Sequence, residues 1–116
     1  MKTTKGLKLD TVWDRCIAMA EFVAKWHEER GLAPRLLKRM WLSANGYEPS
    51  DVYNLCLFCD YADRHTPDTA QTICPRCPGR AVDKSFNCRI ESYHWRYNPA
   101  AFANKLKKMN AKRKEN

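Results

Sequence analysis

A mainly α-helical domain is what this sequence predicts: an N-terminal helical pair packed on a small cysteine-knuckle region, followed by a C-terminal helix. Three observations carry that expectation. Apolar residues recur at helical spacing before residue 46 and after residue 98. Four of the six cysteines form two Cys-x-x-Cys pairs. The stretch containing them is poor in apolar periodicity and rich in Pro, Asp, Thr and Arg. At 116 residues the chain has room for one modest core and reads as a single domain. Its parts are a helical segment at 9–46, a cysteine segment at 47–97, a helix at 98–110 and a basic tail at 111–116.

The first helix is expected from Asp10 or Thr11, either of which can cap it, with Asp14 completing a capping box after Thr11. It runs to Arg30 and ends at Gly31, which suits the left-handed position after a helix. Trp13, Ile17, Ala20, Val23 (or Ala24) and His27 make one apolar stripe, and Met19, Phe22 and Trp26 a second beside it. So wide a face predicts burial against more than one element. Cys16 beside the first stripe reads as a small core residue, and His27 as core. Pro34 suits the first position of a second helix. Leu36, Leu37, Met40 and Trp41 form its expected inner side, Arg35, Lys38 and Arg39 its outer side, and Asn45-Gly46 its end. Ser50 is placed to cap a short helix carrying Val52 and Leu55. Asn98-Pro99 opens the last helix, where Phe102, Leu106 and Met109 fall on one face. The last five or six residues are expected to be disordered.

The net charge of +8 is unevenly spread. Residues 1–9 hold three lysines and no acid, residues 10–88 are close to neutral, and residues 89–116 hold eight basic and two acidic side chains. Basic ends serve as handles for nucleic acid or as solubilising tails, and charge alone does not choose between them. No run approaches the ~20 apolar residues of a membrane span, so no membrane partner is expected. Nothing in residues 1–9 reads as a secretory leader, and the expected compartment is a reducing cytoplasm, where paired cysteines favour metal over disulfides.

The cysteine pairs are Cys56-Leu57-Phe58-Cys59 and Cys74-Pro75-Arg76-Cys77, with fourteen residues between them. A Cys-x-x-Cys turn brings both sulfurs to one side, and two such turns can close a tetrahedral shell at Zn–S distances of about 2.3 Å. Cys56, Cys59, Cys74 and Cys77 are therefore the expected ligands of a structural zinc. A closed shell leaves no position for a reacting water. Unmetallated thiols and an iron–sulfur cluster remain alternatives. Cys88 is a further candidate ligand, and His65 or His94 a candidate replacement for a sulfur. Lacking a core of its own, this segment is expected to be ordered by the metal.

Enzyme classes built on paired cysteines fit poorly. An HNH-type nuclease needs a longer insert than the one holding Asp63-Arg64-His65. A zinc deaminase needs His-x-Glu before Pro-Cys-x-x-Cys, which is absent. The four glycines are not clustered, so no phosphate-cradling loop is present. The sequence reads as non-catalytic, with no catalytic residues.

The run from Leu55 to Ala62, then Cys74-Pro75-Arg76-Cys77-Pro78, Cys88 and Tyr93-His94-Trp95, resembles small cysteine-rich bacteriophage proteins. These carry Cys-x-x-Cys followed by an acid and an aromatic, then Cys-x-x-Cys-Pro, then a lone cysteine and aromatics. The resemblance covers about half the chain and implies a zinc site and a phage context, without an activity. A phage accessory protein that binds and modulates a host protein, acting in host defence or nucleic-acid processing, is the function it suggests. Tyr93, Trp95 and Tyr97 alternate along an expected extended segment beside Arg89 and Arg96, which makes them candidate partner contacts. Lys105, Lys107 and Lys108 join them as candidates. The alternative is nucleic-acid binding, with the aromatics stacking on bases and the C-terminal cations meeting phosphates.

Overall fold

A wide apolar face on one long helix organises the protein, because three other helices are needed to cover it. The computed structural model describes residues 4–65 and 77–115. Among them are α1 (Leu9–Arg30), α2 (Pro34–Ala44), α3 (Leu57–Arg64), α4 (Pro78–Val82) and α5 (Pro99–Lys114), with no strand. Single 3₁₀ turns occupy Pro49–Asp51, Tyr53–Leu55 and Glu91–Tyr93. The mainly helical class stands. No described helix is long and apolar enough to cross a membrane.

In α1 the inward residues are Val12, Trp13, Cys16, Met19, Ala20 and Val23. They meet α2 on one side, α5 on another and α3 below. Ile17, Phe22 and Trp26 lie at the margin of the core, because the covering helices converge on the middle of α1. His27 is half-buried and uses Nδ1 on the Leu32 carbonyl, 2.9 Å away, closing the turn that follows the helix. Gly31 takes the expected left-handed conformation at φ 65°. The expected capping box is absent. The N-cap is Lys8, with no side-chain cap bond, because Asp10 turns to the Arg113 guanidinium at 2.7 Å.

Helix α2 starts at Pro34 and ends at Asn45 as expected, but its inner face is rotated. Pro34, Leu37, Lys38, Trp41 and Leu42 face inward, whereas Leu36 and Met40 are 47% and 45% exposed. The Trp41 ring stacks on Tyr47 at 6.2 Å, which fixes that rotation. Lys38, expected outside, is only 7% exposed. Its stem is buried and its ammonium lies 3.7 Å from the centre of the Trp95 ring, a desolvated cation–π contact.

No helix spans Val52 and Leu55. The chain instead makes two 3₁₀ turns, and the consecutive residues Asn54 and Leu55 take φ values of 56° and 53°. Left-handed backbone at a leucine costs roughly 1–2 kcal/mol. That bend swings the chain so that Cys56 begins α3. The cysteine segment also has apolar anchors that the sequence reading missed. Leu57, Phe58 and Ala62 of α3 are buried, as is Phe86. Phe58 meets Trp13 edge to face at 4.7 Å. Gly79 in α4 is the closest approach: a Cβ there would stand 2.6 Å from the Phe86 ring, so only glycine admits that ring.

In α5, Phe102, Leu106 and Met109 are buried as expected. The helix continues to Lys114, past the expected end at 110. Residues 111–114 are thus helical, because Arg113 bonds Asp10 and lies 5.1 Å over the Trp13 ring.

Candidate thiol centre

The cysteines gather where α1, α3, α4 and the segment before α5 meet. Cys56 is the N-cap of α3 and Cys59 sits in its first turn, so helical spacing puts both sulfurs on one side. Cys77 is the N-cap of α4, held there by Pro78 at the first helical position. A small cavity of about 40 Å³ is lined by Cys56, Cys59, Cys77 and Cys88 together with Phe58 and Phe86. Cys88 therefore lines the same cavity as the first knuckle. Cys74 lies outside the described residues. His65 and His94 line no part of this cavity: His65 stacks on Tyr61 at 4.0 Å, and His94 packs on Tyr97 at 4.6 Å.

Cys16 is the member that the sequence did not reveal. It is buried in the core as expected, yet it also stands with Cys56 on the wall of one cleft. Nothing in a helical apolar stripe distinguishes a packed cysteine from one facing other thiols. The neighbouring Cys16 and Cys59 thiols hold the Cys56 thiol well below its ordinary range against the opposing effect of burial, with the Lys38 charge helping. The proximity of Cys56, then burial, pushes Cys16 upward, and Cys56 likewise raises Cys59. Burial pushes Cys77 to about 12.

The donor chemistry suits a soft metal ion: four cysteines around one cavity, none in a disulfide. Among the described residues, no three Cys, His, Asp or Glu side chains already stand in metal-holding positions. Cys56, Cys59 and Cys77, with Cys74 or Cys88, are the residues that would hold the ion.

Asp60, next after Cys59, locks the first pair in place. It is 1% exposed. Its Oδ2 accepts from the Thr4 amide at 3.2 Å, the Thr4 hydroxyl, and Arg64 Nε at 2.9 Å. Its Oδ1 accepts from the Tyr53 amide at 3.1 Å, clamping the left-handed turn. The acid after the first Cys-x-x-Cys is visible in the sequence, but its burial is not. Burial raises the Asp60 pKa, and the bonds from Arg64, Thr4 and Tyr53 overcome it, leaving a net depression below 3.8. A depressed folded pKa means stability that is present above the unfolded value and lost as pH falls through the folded one. Asp60→Asn is therefore expected to cost about 3 kcal/mol at neutral pH, the low end for a broken buried pair because Arg64 still reaches water. The gap from wild type should narrow below about pH 4. Urea midpoints between pH 3 and 7 read this directly, and a gap independent of pH would contradict it.

The candidate partner residues do not form one surface. The 93–97 segment is a 3₁₀ turn followed by another turn, not extended chain, so alternate residues diverge. Tyr93 stacks on Phe86 at 5.9 Å and Trp95 packs against the core under Lys38, while Tyr97 is 71% exposed. Arg96 lies 5.8 Å over Tyr97. Arg89 is exposed at the edge of a separate cleft. On α5, Lys105 pairs with Asp83 at 2.9 Å and Lys107 with Glu21 at 3.0 Å, leaving Lys108 exposed and outside any ion pair among the described residues. No protein-family model, curated protein or solved structure matches the chain.

Proposed function

We propose that this chain is a small, non-catalytic, zinc-structured accessory protein of phage type that binds a host protein and modulates it. The convergence of Cys56, Cys59, Cys77 and Cys88 on one cavity carries the first half of that reading. Zinc there supplies a cross-link between α3, α4 and the 88–95 segment. Thiolates in a closed shell serve structure, and the binding free energy becomes folding free energy. The phage-like cysteine pattern supports the accessory role.

Partner binding is supported by apolar side chains left outside a chain with a well-filled core. Leu36 and Met40 stand one turn apart on the outer face of α2, and Tyr53 and Tyr97 are also exposed. Such residues anchor protein contacts when flanked by polar ones. Direct nucleic-acid binding through α5 is the weaker reading, since Lys105, Lys107 and Arg113 already hold carboxylates. Capture from host lysate with tagged protein tests the choice. Retention of the same partner after nuclease treatment, and its loss from the doubly substituted Leu36→Glu, Met40→Glu protein at unchanged melting temperature, is the expected result. A partner that disappears with nuclease would reverse the assignment.

A further inference from the structure

A second, larger cleft of about 360 Å³ opens between α1, α2 and the 88–99 segment. Its lining holds four cations, Arg35, Lys38, Arg39 and Arg89, and no acid. Among the described residues none of the four is in an ion pair, while Arg64, Lys105, Lys107 and Arg113 each hold a carboxylate. Lys38 is the second observation. More than nine-tenths buried, it makes no hydrogen bond or carboxylate ion pair among the described residues, and its ammonium lies on the Trp95 ring with its charge also felt by the Cys56 thiol. A buried cation this close to an open cleft favours an anion within it, and a π face and a neighbouring thiol leave three further cations of the lining without a carboxylate. The cleft floor is apolar, formed by Met19, Val23, Leu55 and Phe102.

We propose that this cleft binds a phosphorylated small molecule of nucleotide size. Four cations exceed what one carboxylate needs and match the two or more negative charges of a di- or pyrophosphate group. Arg35 and Arg39 lie one helical turn apart, a spacing at which two guanidinium forks can address one phosphoryl group. The volume falls within the range of small-ligand pockets, and the apolar floor takes the remainder of the ligand. Cys16, Cys56, Cys59 and Cys88 border the same cleft, which places the ligand beside the thiol centre.

The test is calorimetric titration of the full chain with ADP, with inorganic pyrophosphate and with a twelve-residue thymidine oligonucleotide, its metal content measured alongside. Saturable binding of ADP and pyrophosphate that weakens with salt is expected. Arg35→Ala, Arg39→Ala and Arg89→Ala each weaken it about tenfold, the loss of one charge-assisted bond. Lys38→Met abolishes it in protein that remains folded, whereas Lys84→Ala, remote from the cleft, changes nothing. Absence of ADP and pyrophosphate binding, binding of the oligonucleotide alone, or equal affinity in the Lys38→Met and arginine variants overturns the proposal.

Discussion

Trp13→Ala is expected to bring the protein to the edge of unfolding at neutral pH. Trp13 is fully buried where α1, α3 and α5 meet, with the Phe58 ring on its edge and the Arg113 guanidinium over its face. Truncating a buried tryptophan to alanine costs about 3–5 kcal/mol, against a typical total of about 5–15 kcal/mol. The indole N–H has no hydrogen-bond partner among the described residues, so the loss is one of packing and cavity formation. Trp26→Ala is the matched control. That ring is half-buried at the end of α1 between Lys25 and Arg30, and its removal should cost under about 2 kcal/mol. Urea denaturation of the two variants decides the matter, and equal midpoints would show that Trp13 is not the keystone of the helix junction.

Cys56→Ser is the second large effect. On the proposed zinc centre it removes a ligand from the cavity that Cys56 shares with Cys59, Cys77 and Cys88. Structural zinc supplies about 10–16 kcal/mol in small modules, more than a domain this size has to spare. The expected outcome is a fall from about one zinc per chain to none, with loss of amide-exchange protection in α3 and α4. A strong chelator should reproduce it in the wild type. Cys16→Ser separates the roles, since a neighbour outside the shell should leave the zinc content unchanged. Wild-type protein that purifies folded and metal-free, and ignores the chelator, removes zinc from the account.

Much of the helical skeleton was legible because its signals are local. Pro34 and Pro99 start helices, Gly31 and Asn45-Gly46 end them, and Phe102, Leu106 and Met109 mark the buried face of α5 by spacing alone. The reading faltered wherever two faces of similar hydrophobicity competed. In α2, Leu36 and Met40 are as apolar as Leu37 and Leu42, and only the Trp41–Tyr47 stack and the Trp95 ring over Lys38 decide which set turns inward. It faltered also where a charge met a distant partner: Arg113 reads as a tail residue until Asp10 is brought beside it.

The sequence by itself determined that the chain is mainly helical, where most helices begin and end, and which residue types could form a soft-donor site. Only the tertiary structure decided that Cys16 meets Cys56, that Cys88 joins Cys59 and Cys77 at one cavity, and that Asp60 clamps the turn before the first pair. The same holds for the four cations gathered around one cleft, none of them on a carboxylate among the described residues. The physical reason is separation along the chain. Helix signals act over three or four residues, whereas these contacts join segments dozens of positions apart, and their geometry exists only once the wide face of α1 has been covered.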